Sequence, residues 1–309
     1  MASFSYKACP ALLRKQKGDS VADGNSLINF GELSKPVTVL IEKVSNAVGV
    51  LYEPRRIRKH AEAEAEAEKI KALASIELNE IQQRAIDRFI HQEGRKQENI
   101  EAITAQAAAS LGEDAKVEGL EEDWVAHFFK NCDTVSDKEM QSLWSRLLLG
   151  EATNPGTFSK RTVDFVASMD KKDAQLFTEF CQFCWFMGEV IPIILNVEND
   201  VYKKKGVNFS VLKHLDAIGL ISFESISGYR TTGIGKYAQL FYFGVPTLIE
   251  FSKDKDNDLN LGKALLTQAG KELAPICGAK RNDEYYRYVI REWYKRGLGL
   301  SMPLNSKPN

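Results

Sequence analysis

Residues 55 to 111 contain no proline and one glycine, Gly94. Within them, Ala61-Glu-Ala-Glu-Ala-Glu-Ala-Glu68 is built from strong helix formers. Ile70, Ala74, Leu78, Ile81, Ala85 and Phe89 continue as an apolar stripe in steps of mostly three and four. A single helix over this stretch would be about 85 Å long at 1.5 Å per residue. A chain of 309 residues cannot cover such a stripe with its own globule. The pattern therefore predicts a long, coiled-coil-like helical arm that self-associates through Ile70, Leu78, Ile81 and Phe89. The stripe is alanine-rich and not a strict heptad, so it sets no oligomer number. A break at Gly94 would give two shorter helices and weaken the argument for an oligomer.

Charge narrows the partners. Lys and Arg total 41 against 42 Asp and Glu, a formal net charge of -1. That excludes a globally basic nucleic-acid coat and an acidic tail protein. The balance hides segregation. Residues 113–157 hold ten acids against four bases, and residues 278–309 hold seven bases against three acids. Either the acidic block meets the basic tail, or the tail is free to meet an anionic partner. Cys9, Cys132, Cys181, Cys184 and Cys277 are odd in number and form no disulfide framework. The first residues lack a signal peptide's apolar core. The most apolar run, Cys184 to Leu195, carries Glu189 and Pro192 and is too short to span a bilayer. These features predict a cytoplasmic protein with no transmembrane helix, and they do not point to a membrane partner.

The segments read in order as follows. Residues 1–33 form a polar, glycine-rich arm. Residues 34–112 hold an amphipathic helix, opened by Ser34-Lys-Pro36 and closed by Gly49, and then the long helical arm. Residues 113–195 read as a helical core. In it, Ser136 and Glu139 form a capping box, Gly150 ends the next helix, Ser159 caps a third, and Asp170 caps a fourth reaching about Met187. Residues 196–277 read as a winged-helix-like domain, with a helix at Asn208–Ala217, a strand at Gly219–Glu224, a return strand at Tyr237–Val245 and a helix from Thr267. Residues 278–309 form a basic, aromatic helix and a tail. The expected fold class is mainly α, with a small α+β domain near the C-terminus.

No catalytic signature stands out, so the chain leans toward a non-enzyme and implies no cofactor. Gly228-Tyr-Arg-Thr-Thr-Gly-Ile-Gly-Lys236 lacks the Gly-Lys-Ser/Thr end of a phosphate loop. Cys181-Gln-Phe-Cys184 has no second pair of ligands for zinc and sits in an aromatic, apolar run, so it reads as two buried hydrophobes. His60, His91, His127 and His214 are scattered. Nucleic-acid binding is the alternative function. A winged helix would present Asn208–Ala217 to DNA, with Lys203, Lys204, Lys205, Lys213 and Arg230 as contacts. Arg161, in the first turn of a capped helix, is a candidate anion contact. The competing reading pairs Arg161 with Glu151 to fix the preceding loop.

The central run Gln141-Ser-Leu-Trp-Ser-Arg-Leu-Leu-Leu-Gly-Glu-Ala-Thr-Asn-Pro-Gly-Thr-Phe-Ser-Lys-Arg-Thr162 resembles a bacterial domain-of-unknown-function family, number 2806. So do Glu93-Gly-Arg-Lys-Gln-Glu-Asn-Ile-Glu101 and Glu122-Asp-Trp-Val-Ala-His-Phe-Phe129. The resemblance runs from about Leu33 to Leu273 and supplies no catalytic residues to carry over. The run is also reminiscent of the abortive-infection alpha proteins, which pair an N-terminal helical region with a Trp-x-x-Leu-Leu helix. That resemblance implies a setting in bacterial antiphage defence. The leading expectation is a self-associating interaction protein that forms a homo-oligomer and meets a protein partner.

Overall fold

The computed structural model describes residues 34–49 and 80–302. The arm expected at 1–33 lies outside them, as do Ile70, Leu78 and the Ala-Glu repeat. The described chain divides between Lys171 and Lys172 into two compact units.

The first unit is helical. It contains α1 (Lys35–Val48), α2 (Glu80–Ala109), a 3-10 turn (Val117–Gly119), α3 (Glu122–Cys132), α4 (Lys138–Thr153) and α5 (Lys160–Ala167). Pro36 starts α1, and Gly49 ends it in the left-handed region. Leu40, Val44, Ile103, Phe128, Trp144 and Leu147 are fully buried together. Stacked and edge-on contacts run from Trp124 through Phe128 to Trp144, with centroids 5.2 Å apart at each step. Two buried amides fix how α2 sits on α4. Gln141 donates to Asn99 (3.0 Å) and to the Val135 carbonyl (2.8 Å), while Asn99 donates to the Asp133 carbonyl (2.8 Å). A slip of either helix would orphan these amides, so they specify one register.

Two local expectations change here. The cap of α4 is Asp137, not Ser136, because the Asp137 carboxylate accepts from the Glu139 and Met140 amides. Gly150 does not end α4, which continues to Thr153. Its lack of a side chain serves packing instead: a Cβ there would sit 2.6 Å from the Phe158 ring. Phe158 is drawn in because the Glu151 carboxylate, almost fully buried, accepts the amides of Gly156 (2.6 Å) and Phe158 (2.8 Å). The Asn154–Phe158 loop is thus held by one carboxylate acting on backbone, not by an Arg161 ion pair.

The second unit contains α6 (Lys171–Cys181), β1 (Cys184–Phe186), β2 (Val190–Pro192), α7 (Asp200–Lys203), α8 (Phe209–Ala217), β3 (Ile221–Phe223), β4 (Tyr229–Ile234), β5 (Tyr237–Tyr242), β6 (Val245–Glu250), β7 (Asn257–Gly262), β8 (Ala264–Leu266), α9 (Gln268–Leu273), α10 (Asp283–Lys295) and β9 (Gly299–Ser301). The order β2-β1-β5-β6-β9 makes a five-stranded antiparallel sheet, and β3-β8 and β4-β7 make two-stranded ones.

The expectation of a mainly α chain is therefore wrong. Among the described residues, nine strands in three antiparallel sheets make it a mixed helix-and-sheet protein. The helix expected to reach Met187 stops at Cys181, and the apolar run after it is the β1–β2 hairpin. Val190, Ile191, Ile193 and Ile194 are β-branched, and a continuous apolar run reads equally as buried helix or buried strand. The winged-helix-like domain is overturned by pairing. β5 and β6 join β1 and β9, from outside residues 196–277, so that segment is not a self-contained unit.

Buried phenol groups tie this unit together. The Tyr285 hydroxyl accepts the Trp185 indole N–H (2.9 Å) and faces the carbonyls of Phe183 (2.9 Å) and Ile193 (3.0 Å). Tyr242 donates to the Gln182 carbonyl (2.8 Å) and accepts the Asn282 amide (3.0 Å). Tyr202 donates to the Ile193 carbonyl and accepts the Leu195 amide, both at 3.2 Å. Burial pushes the Tyr285 and Tyr202 hydroxyls well above the ordinary phenol range, so both stay protonated and can donate.

Gly262 shows how closely these segments approach. Its φ is +94°, and a Cβ would lie 1.9 Å from the Ile194 carbonyl oxygen. Gly94, where a break would have split the helix, lies within a continuous α2 with open space around it. Gly262→Ala should prevent folding of the second unit, whereas Gly94→Ala should raise stability by up to about 1 kcal/mol. Urea unfolding of the two variants checks both signs. Glu151→Ala orphans the buried Phe158 amide and frees the more exposed Gly156 amide, and should cost about 1–3 kcal/mol in the same measurement. Arg161→Ala should stay within about 0.5 kcal/mol of the parent.

Candidate functional site

Three large apolar side chains are exposed on the first four turns of α2. From Glu80 to Arg95 every residue but Ile86 is exposed, and the helix enters the core at Asn99 and Ile100. On this free stretch Ile81 is 71% exposed, Phe89 63% and Ile90 63%. Two of the predicted self-association residues, Ile81 and Phe89, are thus brought out together. Ile90 escaped the sequence reading because it lies beside the stripe, not in it. Polar side chains here pair within the helix: Arg84 forms an ion pair with Glu80 (3.4 Å), and the Gln83 amide donates to Asp87 (3.1 Å). They support the helix and leave its apolar side uncovered.

The predicted nucleic-acid contacts are scattered, and most are engaged. Lys203 pairs with Glu198 (2.5 Å), Lys204 with Glu284 (2.6 Å), Lys213 with Asp216 (3.4 Å) and Arg230 with Asp258 (3.6 Å). Lys213 also lies over the Phe223 ring, 5.3 Å from its centroid. His214, on the same helix α8, meets Asp173 of α6 at 2.6 Å. The supposed recognition helix therefore spends its cations on its own unit. Arg161 is exposed in the first turn of α5. Lys204 and Lys205 do converge with Arg287 of α10 at Glu284; the sequence offers Arg287 and Arg291 as further cations in its basic, aromatic C-terminal segment but does not group them with Lys204 and Lys205. The signal was available, because Arg287, Arg291 and Tyr294 are spaced to share one helical face.

A cleft of about 480 Å³ opens beside the β1–β2 hairpin, lined among others by Cys181, Cys184, Trp185, Phe186 and Phe241. Phe243 and Gly244 join the lining from the β5–β6 turn. Both have positive φ, 47° and 79°, a geometry that strains phenylalanine. Cys181 ends α6 and Cys184 starts β1, so the pair does not lie inside one helix as expected. Burial pushes the Cys181 thiol well up, and hydrogen bonding to Cys184 and Cys277 raises it further. Such a thiol stays neutral and is a poor nucleophile. Among the described residues no group of three or more His, Cys, Asp or Glu side chains is placed to hold a metal ion. No helix among them is long and apolar enough to cross a membrane.

Searches of curated proteins and of solved structures found no match to this chain. A family model described as "Protein of unknown function (DUF2806)" matches residues 83–290, from the exposed turns of α2 to the last turns of α10. That match covers both compact units and more than half of the chain, and the chain belongs to the DUF2806 family.

Proposed function

We propose that the protein is a non-enzymatic interaction protein that self-associates through the exposed face of α2. The observation that carries this reading is the exposure of Ile81, Phe89 and Ile90 within four helical turns. Single exposed apolar residues are ordinary on soluble proteins, but a cluster this dense favours burial against a partner. The flanking charges alternate in sign, from Glu80 through Arg84 and Asp87 to Arg88. An antiparallel second copy can therefore set unlike charges opposite one another, which favours a two-fold homo-oligomer over a foreign partner. The cytoplasm is the setting we favour, supported by four buried cysteines that form no disulfide among the described residues. The Trp144-Ser-Arg-Leu-Leu148 helix supports a place in antiphage defence through its likeness to the abortive-infection alpha proteins.

Sedimentation of the full chain tests the proposal. The parent should be oligomeric at about 10 µM. Ile81→Glu combined with Phe89→Glu should weaken association by about 100-fold or more, since each buried side chain contributes about 1.5–3 kcal/mol. Both sites are exposed, so the melting temperature extrapolated to low concentration should not move. A monomeric parent, or a variant that associates like the parent, overturns the proposal.

A further inference from the structure

Helix α10 has two unlike faces. Tyr285, Tyr288, Val289 and Trp293 turn inward and are buried. Glu284, Arg287, Arg291 and Tyr294 follow in steps of three, four and three and turn outward, all exposed. Asn282 caps the helix by accepting the Tyr285 amide (3.1 Å), so this face begins on a fixed first turn.

Arg287 and Arg291 stand one turn apart, about 6 Å along the axis. With Glu284 they line an open groove of about 410 Å³. Neither guanidinium forms an ion pair with a carboxylate among the described residues. Arg287 uses its Nε locally, donating to the Asp283 carbonyl (3.2 Å). The one carboxylate in the groove is already engaged, because Lys204 reaches Glu284 from the end of α7 at 2.6 Å. That hydrogen bond and charge hold Glu284 below the usual carboxylate range, and Arg287 and Lys205 add to the effect. Lys204, Lys205, Arg287 and Arg291 thus gather about Glu284, with Asp200 also acting on Lys204, so four cations stand against two carboxylates and the excess charge is positive. Tyr294 adds an aromatic ring at the end of the row and is 76% exposed. Paired guanidiniums grip phosphate oxygens, and an uncovered ring offers a stacking platform.

We propose that the outer face of α10, with Lys204 and Lys205 beside it, binds single-stranded nucleic acid. Arg287 and Arg291 hold the phosphates, and Tyr294 stacks on a base. Charge complementarity selects a polyanion. The exposed ring selects an unpaired strand, since a duplex keeps its bases stacked on one another. This inference does not rest on self-association, and the Ile81→Glu, Phe89→Glu variant should bind strands as the parent does.

Fluorescence anisotropy of the full chain with a labelled oligothymidylate of roughly 20 nucleotides tests it. Binding should weaken with salt, with a log–log slope of about -2 to -3 for three or four phosphate contacts. Arg287→Ala with Arg291→Ala should reduce affinity about tenfold or more and flatten the slope by about 1.4. Tyr294→Ala should reduce affinity about fivefold or more and leave the slope unchanged, while Tyr294→Phe should retain binding. Duplex of the same sequence should bind more weakly, and inorganic phosphate at millimolar concentration should not displace the strand. No binding at about 50 mM salt, or binding indifferent to the arginine pair, overturns the proposal. So does a duplex that outcompetes the strand, displacement by phosphate alone, or a Tyr294→Ala variant that binds like the parent. Unchanged melting temperatures show that the exposed substitutions leave the fold intact.

Discussion

The Tyr285 hydroxyl joins segments that lie about a hundred residues apart in the chain. It takes the Trp185 N–H from β1 and faces carbonyls of Phe183 and Ile193, on either side of the β1–β2 hairpin. Each of those groups is buried, and none can reach water if the phenol moves. A buried polar group left unpaired costs more than its hydrogen bond contributes, so the arrangement tolerates few alternatives. Ring packing reinforces it. Trp185 lies 5.0 Å from Trp293 and 4.9 Å from Tyr242, and Tyr285 lies 4.9 Å from Phe183. Because α10 is locked by its inner face, its outer face is presented at a fixed angle. The groove between Arg287 and Arg291 is in this sense a product of Tyr285.

Helix α2 obeys the same logic with the opposite outcome. Its last turns are pinned by Asn99, and Ile103 and Ala107 are almost wholly buried. Its first turns have no such partner among the described residues. Helix propensity and internal charge pairing keep them helical, but neither covers Ile81, Phe89 and Ile90. One element is therefore both a core helix and an interaction surface, and the change occurs between Arg95 and Asn99 over a single turn.

Electrostatics separates candidate contacts from scaffolding. Lys203, Lys213 and Arg230 are exposed, yet each has a carboxylate within 4 Å. Exposed pairs of this kind add little stability, but they cancel the field that would attract an anion. Around Glu284 the balance differs, since Lys204, Lys205 and Arg287 all act on it and Asp200 is the one further carboxylate acting on Lys204. Counting basic residues along the chain could not tell these two situations apart. The distinction depends on which carboxylates the fold brings near.

Local features were the legible part of this sequence. Pro36 and Gly49 delimited α1, and Ser159, Asn208 and Thr267 marked the starts of their helices. The family was legible too, in the Gln141–Thr162 run. These signals act over a few residues, where side-chain and backbone chemistry decide the outcome without distant partners. The sheets were not legible. An apolar run such as 184–195 satisfies a buried helix and a buried strand equally, and β5 and β6 look the same whether they pair with a neighbour or with β1 and β9. By itself the sequence determined where helices start, which faces are apolar and where charge is segregated. Tertiary structure alone decided that the chain is mixed, that the first turns of α2 remain uncovered, and that Lys204 stands beside Glu284. The reason is that strand pairing and ion pairing are contacts between distant residues, and only the closed chain sets their energies.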